Sequence, residues 1–187
     1  MLILFLVPSG LFIAATFGAT AVMIIASLLV GDASRPRLTL RSAIIGLMSA
    51  FLLYLVFYGG NAAITKFGFP GVSGPTGASI YALIAAPSNP LLLQVGVLAF
   101  DAAGYESFFR GTLQRRLQPR FGPSSAALVA LVDAGLHFAT GNLLWVSTTF
   151  VADLVWGLTY HYGRDLSASL ASHFLWDIAI FIIRPIR

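Results

Sequence analysis

Three pairs of polar side chains four residues apart could do chemistry in this chain: Glu106 with Arg110, Asp133 with His137, and His173 with Asp177. Residues at i and i+4 share a helix face, so each pair points one way if its segment is helical. A carboxylate can take a proton from water. One histidine can share that water or supply a proton to a leaving amine, and a second can stabilise a tetrahedral oxyanion. Together these groups suit hydrolysis by direct attack of water. The chain contains no cysteine, which excludes thiolate nucleophiles and disulfides, and no serine stands in a Gly-x-Ser-x-Gly nucleophile elbow.

The elements that must carry these pairs are apolar. The 187 residues are 58% hydrophobic and 10% charged, with a mean hydropathy of +0.87. That composition points to an integral membrane protein and away from a water-soluble domain. The net charge of +4 is no nucleic-acid signal. Of seven acidic residues, Asp32 and Asp165 fall in loops, whereas Asp101, Glu106, Asp133, Asp153 and Asp177 fall inside apolar segments. A charge at the centre of a spanning helix costs about 2.5–3.5 kcal/mol on insertion scales. Intramembrane acids are therefore functional by default, and their partners should be named. For Glu106, the only glutamate in the chain, Arg110 is the first candidate.

The hydrophobic pattern predicts an all-α, polytopic helical bundle of about six spans. They run over 1–30, 42–63, 90–117, 124–140, 143–162 and 166–183. Residues 1–89 read as a two-span region ending in a Gly/Pro-rich outer loop, and 90–187 as a four-helix core carrying the three pairs. The first run lacks a basic n-region and is too long for a signal-peptide core, so it reads as a retained span. The breakers between Phe67 and Pro90 rule out one straight helix there; an outer loop with a short surface helix, or a gate over a substrate site, fits that stretch. Arginines cluster at 35–41 and 115–120, with Arg164 in a third turn. The positive-inside rule makes these loops cytoplasmic and puts the N-terminus outside. Measured from those ends at about 1.5 Å per residue, Glu106, His173, Asp177 and His137 lie roughly 10–20 Å deep, in one middle band.

The three pairs, in this order and spacing, resemble the motifs of the CPBP family, the CAAX protease and bacteriocin-processing (ABI) intramembrane proteases. The family's Glu-Glu-x-x-x-Arg motif is matched by Tyr105-Glu106-Ser107-Phe108-Phe109-Arg110, followed by Gly111. Its Phe-x-x-x-His motif is matched by Asp133-Ala134-Gly135-Leu136-His137, and its His-x-x-x-Asn/Asp motif by His173-Phe174-Leu175-Trp176-Asp177. The resemblance covers about 93–183. It implies a glutamate-dependent endopeptidase within the membrane of a prokaryotic cell, acting on a membrane-associated peptide or C-terminal tail, with membrane lipids as surroundings, no nucleic acid, no cofactor and no metal. Carried over, His137 works on the water, His173 and Asp177 stabilise the oxyanion, and Glu106 and Arg110 match the second Glu and the Arg.

Two positions depart from the pattern. Tyr105 stands where the family has its first Glu, the general base, and Asp133 where it has Phe. A phenol with a pKa near 10 is a poor base at neutral pH. Either the base has moved, to Glu106 by preference with Asp133 orienting His137 or the water, or to Asp133 itself, or the hydrolase is disabled and the chain acts as an immunity or partner-binding membrane protein. A proton- or ion-coupled transporter also uses intramembrane acids, but the chain lacks the inverted repeats and paired broken helices such carriers show. A zinc site built from Glu106, His137, His173 and Asp177 is allowed by spacing; the resemblance favours metal-free chemistry.

Overall fold

The computed structural model describes residues 12–30, 36–67, 90–138 and 141–185. Within them the chain is helical, with no strand. Helix α1 spans Phe12–Leu29, and α2 spans Leu40–Phe67. Helix α3 spans Leu91–Phe108 and runs without a break through a π-helical stretch, Phe109–Gln114, into α4, Arg115–Phe121. Helix α5 spans Ser124–His137 and α6 Leu143–Gly163. Helix α7 spans Leu166–Asp177 and continues as π-helix over Ile178–Ile183. The expected first eleven residues of span one, the Gly/Pro-rich stretch 68–89 and its suggested surface helix or gate lie outside the described residues.

Among the described residues three helices are long and apolar enough to cross a membrane: Leu40–Phe67, Leu143–Gly163 and Leu166–Ile183. Ala14–Leu29 and Ser124–His137 are apolar but shorter. Leu91–Phe108 is outside both groups, because Asp101 and Glu106 lower its hydropathy. This is a helical membrane bundle, and the helix carrying Glu106 places two acids, Asp101 and Glu106, inside it.

Local chemistry sets the helix ends. Asp165 caps α7, accepting from Ser167 N at 2.9 Å, and Asn142 caps α6 through Trp145 N. At the start of α2, Thr39 and Ser42 exchange hydrogen bonds reciprocally, as in a capping box with Ser in place of Glu. Between helices, small residues allow close approach, the usual device where lipid removes the hydrophobic drive for association. A Cβ on Gly46 of α2 would lie 2.6 Å from Ala171 Cβ on α7, and one on Gly157 of α6 would lie 2.8 Å from Ala126 Cβ on α5. Hydroxyls add a second tie: Ser172 Oγ donates to Ser49 Oγ at 2.9 Å, and Ser49 meets Thr159 Oγ1 at 2.7 Å, joining α7, α2 and α6. Helix α1 packs on α3, with Thr20 Oγ1 donating to Asp101 Oδ1 at 2.8 Å.

These contacts hold α3, α5, α6 and α7 around a core of Tyr105, Phe109, Val129, Ala152, Trp156, Trp176 and Ile180, with Ala50 and Leu53 contributed by α2. All three polar pairs fall inside this packing.

Candidate active site

Glu106 sits on α3 with none of its surface exposed. Its Oε1 accepts from His173 Nδ1 of α7 at 2.9 Å. Its Oε2 accepts from Ser169 Oγ, also of α7, and faces Arg110 Nε at 3.5 Å. His173 is held edge to edge between two carboxyl groups, because its Nε2 lies 3.5 Å from Asp177 Oδ2. Its ring stacks on Trp156 of α6, with centroids 3.7 Å apart and planes 12° from parallel. The Glu106/Arg110 and His173/Asp177 pairs, separate in sequence, thus form one cluster.

Arg110 is also fully buried, and its strongest contact is elsewhere. Arg110 Nη2 lies 2.5 Å from Asp153 Oδ1 of α6. The π-helical stretch makes both contacts possible. It begins three residues after Glu106, and within it Thr112 Oγ1 donates to Ser107 O at 3.1 Å. Single π-turns inside α-helices are common at functional sites. The same stretch delivers Gln114, whose Nε2 donates to Gly157 O at 2.8 Å.

The third pair forms a second cluster beside the first. Tyr105 OH donates to Asp133 Oδ2 across the α3–α5 interface. Asp153, which pairs with Arg110, is fully buried in the same layer as Asp133. His137 Nδ1 donates to the Asp133 carbonyl one turn back, at 2.9 Å, and lies 3.9 Å from Asp133 Oδ1. That bond fixes the proton on Nδ1 and the ring in orientation. Trp145 stacks on the His137 ring at 6.0 Å between centroids. The clusters touch through Arg110–Asp153 and through the Tyr105 ring, which meets His173 edge-on at 5.2 Å.

All six residues singled out by sequence, Glu106, Arg110, Asp133, His137, His173 and Asp177, are therefore buried in one polar layer inside the bundle. Sequence reasoning missed three others. Asp153 carried a signal, an acid inside an apolar span, but no motif named its partner. Ser169 and Trp156 had none, because an isolated serine or tryptophan in a membrane helix is unremarkable. Among the described residues no group of three Asp, Glu or His side chains is placed to hold one metal ion.

Chemically, the layer offers carboxylates beside imidazoles with a buried cation between them. Asp133 Oδ1, Asp153 Oδ2 and Arg110 Nη1 make no hydrogen bond with the described residues. Buried polar atoms of this kind are satisfied by ordered water or by substrate.

Residues 87–179 match the model of a protein family described as Rce1-like, type II CAAX prenyl endopeptidase. Neither the curated proteins nor the solved structures gave a match to the chain.

Proposed function

Because the chain belongs, through this segment, to the CAAX protease (CPBP) family, we propose that it is an intramembrane endopeptidase that cleaves a membrane-associated peptide or C-terminal tail with an activated water. The observation that carries the reading is the convergence of Glu106, Asp133, Asp153, Arg110 and His173, from four helices, into one buried layer.

The contacts favour dividing the work between the two acids weighed from sequence. Both Glu106 oxygens are engaged, by His173 on one side and by Ser169 and Arg110 on the other. Glu106 is thereby suited to hold His173 rather than to receive a proton from water. Asp133 keeps an oxygen free of hydrogen bonds and stands next to His137. In the proposed reaction Asp133, with His137, takes a proton from water while the oxygen attacks the scissile carbonyl carbon. His173, oriented by Glu106 and Asp177, donates to the developing oxyanion. Collapse of that intermediate breaks the C–N bond, and the proton passes to the leaving amine.

A second reading rests on one contact. The Tyr105 hydroxyl occupies Asp133 Oδ2, and both residues are buried, an arrangement that also suits an inactive relative binding a partner in the membrane. Cleavage of a membrane-tethered peptide library by purified protein separates the readings. The enzyme reading expects cleavage by wild type and its loss in Asp133→Asn. Full activity in that variant would refute the assignment of the base. No cleavage of any library member by the folded wild type would favour the inactive relative.

The arginine-rich loops support an N-terminus outside, and the family resemblance favours a prokaryotic cell membrane, with membrane lipids and a peptide tail as partners. A chain without cysteine makes the sidedness simple to test. Single cysteines introduced at Arg120 and at Gly141 should be labelled from opposite sides of sealed vesicles; labelling from the same side would contradict it.

A further inference from the structure

Away from the buried layer, a pocket of about 650 Å³ opens between the start of α2 and the α6–α7 turn. Arg37, Arg41 and Arg164 line it, with Thr39, Tyr160 and Asp165. The three guanidinium groups make no ion pair or hydrogen bond with the described residues. Arg164 is the only non-glycine among the described residues with a positive φ, 53°; this left-handed conformation ends α6 and turns the chain at the pocket rim. The single acid in the lining, Asp165, spends its Oδ1 on capping α7. Two helix N-termini, those of α2 and α7, also open here, and their dipoles add positive potential.

The surface beside the pocket is apolar. Leu40, Ile44, Leu47 and Phe51 are each more than half exposed. At spacings of three and four residues they form a continuous stripe along α2 that begins at the pocket edge. A basic pocket at the end of a spanning helix, continued by an exposed apolar stripe, has the shape of an amphiphile with an anionic head. Basic pockets between membrane helices are a recognised setting for anionic lipid headgroups.

We propose that this pocket binds the headgroup phosphate of an anionic phospholipid, with Arg37, Arg41 and Arg164 on the phosphate and the acyl chains along the Leu40–Ile44–Leu47–Phe51 face of α2. The site is separate from the hydrolytic reading and stands or falls without it. Free phosphate shares the headgroup chemistry but has nothing to place on the stripe.

The test is native mass spectrometry of the full chain in non-ionic detergent, titrated with phosphatidylglycerol, phosphatidylcholine or inorganic phosphate. Phosphatidylglycerol should bind with the highest affinity. Exchanging all three arginines for glutamine should weaken it roughly 100-fold, about fivefold for each charge removed near the headgroup. Arg120→Gln, outside the pocket, should leave that affinity unchanged. If the triple variant does not run as a single folded species, Arg41→Gln alone should show the fivefold loss. Equal affinity for phosphatidylcholine would overturn the proposal, as would undiminished phosphatidylglycerol binding by Arg41→Gln. Inorganic phosphate displacing the lipid at comparable concentration would reassign the pocket to a free anion.

Discussion

The cluster around Glu106 and the cluster around Asp133 share Arg110 and the Tyr105–His173 ring contact, yet they are held in different ways. Around Glu106 both carboxylate oxygens have named partners, and the imidazole of His173 is fixed by two carboxyl groups and an indole face. Around Asp133 two buried carboxyl groups, its own and that of Asp153, each keep an oxygen without a hydrogen bond to the described residues, and the donors that do reach them are the Tyr105 phenol and the Arg110 guanidinium. A fully satisfied polar network rigidifies; a partly satisfied one costs stability and persists where function needs its free valences. In the proposed reaction the first cluster serves as a brace and the second as the reacting centre.

The largest effect that would sharpen this contrast is on rate. Asp133→Asn should lower kcat/KM roughly 10²–10⁴-fold, the usual worth of a general base, while thermal unfolding stays within a few degrees of wild type. Glu106→Gln should also lose cleavage, but with a clear drop in Tm, because it weakens charged hydrogen bonds worth about 1.5–3 kcal/mol each. Equal Tm values for the two variants would dissolve the distinction between brace and centre.

Next comes the residue both clusters use. Arg110→Leu leaves Glu106 and Asp153 as buried carboxylates without their cation, and breaking a buried pair from one side costs about 3–5 kcal/mol. Chemical or thermal denaturation in detergent should show it; a loss under about 1 kcal/mol would mean that the pairs are not charged as drawn.

The proposed relocation of the base can be put to a reversal test. The double exchange Tyr105→Glu with Asp133→Phe writes the family pattern back into the chain. It should regain a substantial part of the rate that Asp133→Phe alone loses, measured on the same peptide. No recovery in a folded double variant would count against the idea that the acid moved from one motif to the other.

The smallest effect concerns packing behind the brace. Gly157→Ala puts a methyl group 2.8 Å from Ala126 Cβ and 3.0 Å from Gln114 Oε1, an overpacking worth about 1–3 kcal/mol. It should lower Tm and reduce kcat/KM by severalfold at most, since only the seat of the π-helical stretch moves.

Much of this arrangement is legible in the sequence, for definite reasons. Helix limits follow from apolar length and from breakers, so the limits expected for the second, fourth and fifth segments agree with helices α2, α5 and α6 to within a few residues, and those of the sixth with α7 and its π-helical continuation. The i,i+4 pairs follow from helix geometry, and Glu106–Arg110 and His173–Asp177 do face each other. What periodicity could not show is pairing between helices. Arg110 reaches Asp153, forty-three residues away, more closely than it reaches Glu106, because a π-turn rotates the chain after Glu106 and no residue in Phe109–Gln114 announces one. Tyr105 reads as a lost glutamate when taken alone. Its bond to Asp133, the other departure from the family pattern, appears only when α3 and α5 are brought together.

Each of the two histidines lies parallel to a tryptophan ring, His173 on Trp156 and His137 on Trp145. Indole emission is sensitive to an imidazole in contact, so this protein carries an optical reporter in each cluster. A peptide that displaces His173 should change the light from Trp156, and one that displaces His137 the light from Trp145. Phe substitution of one tryptophan at a time would then show, in a stopped-flow trace, which cluster a substrate meets first.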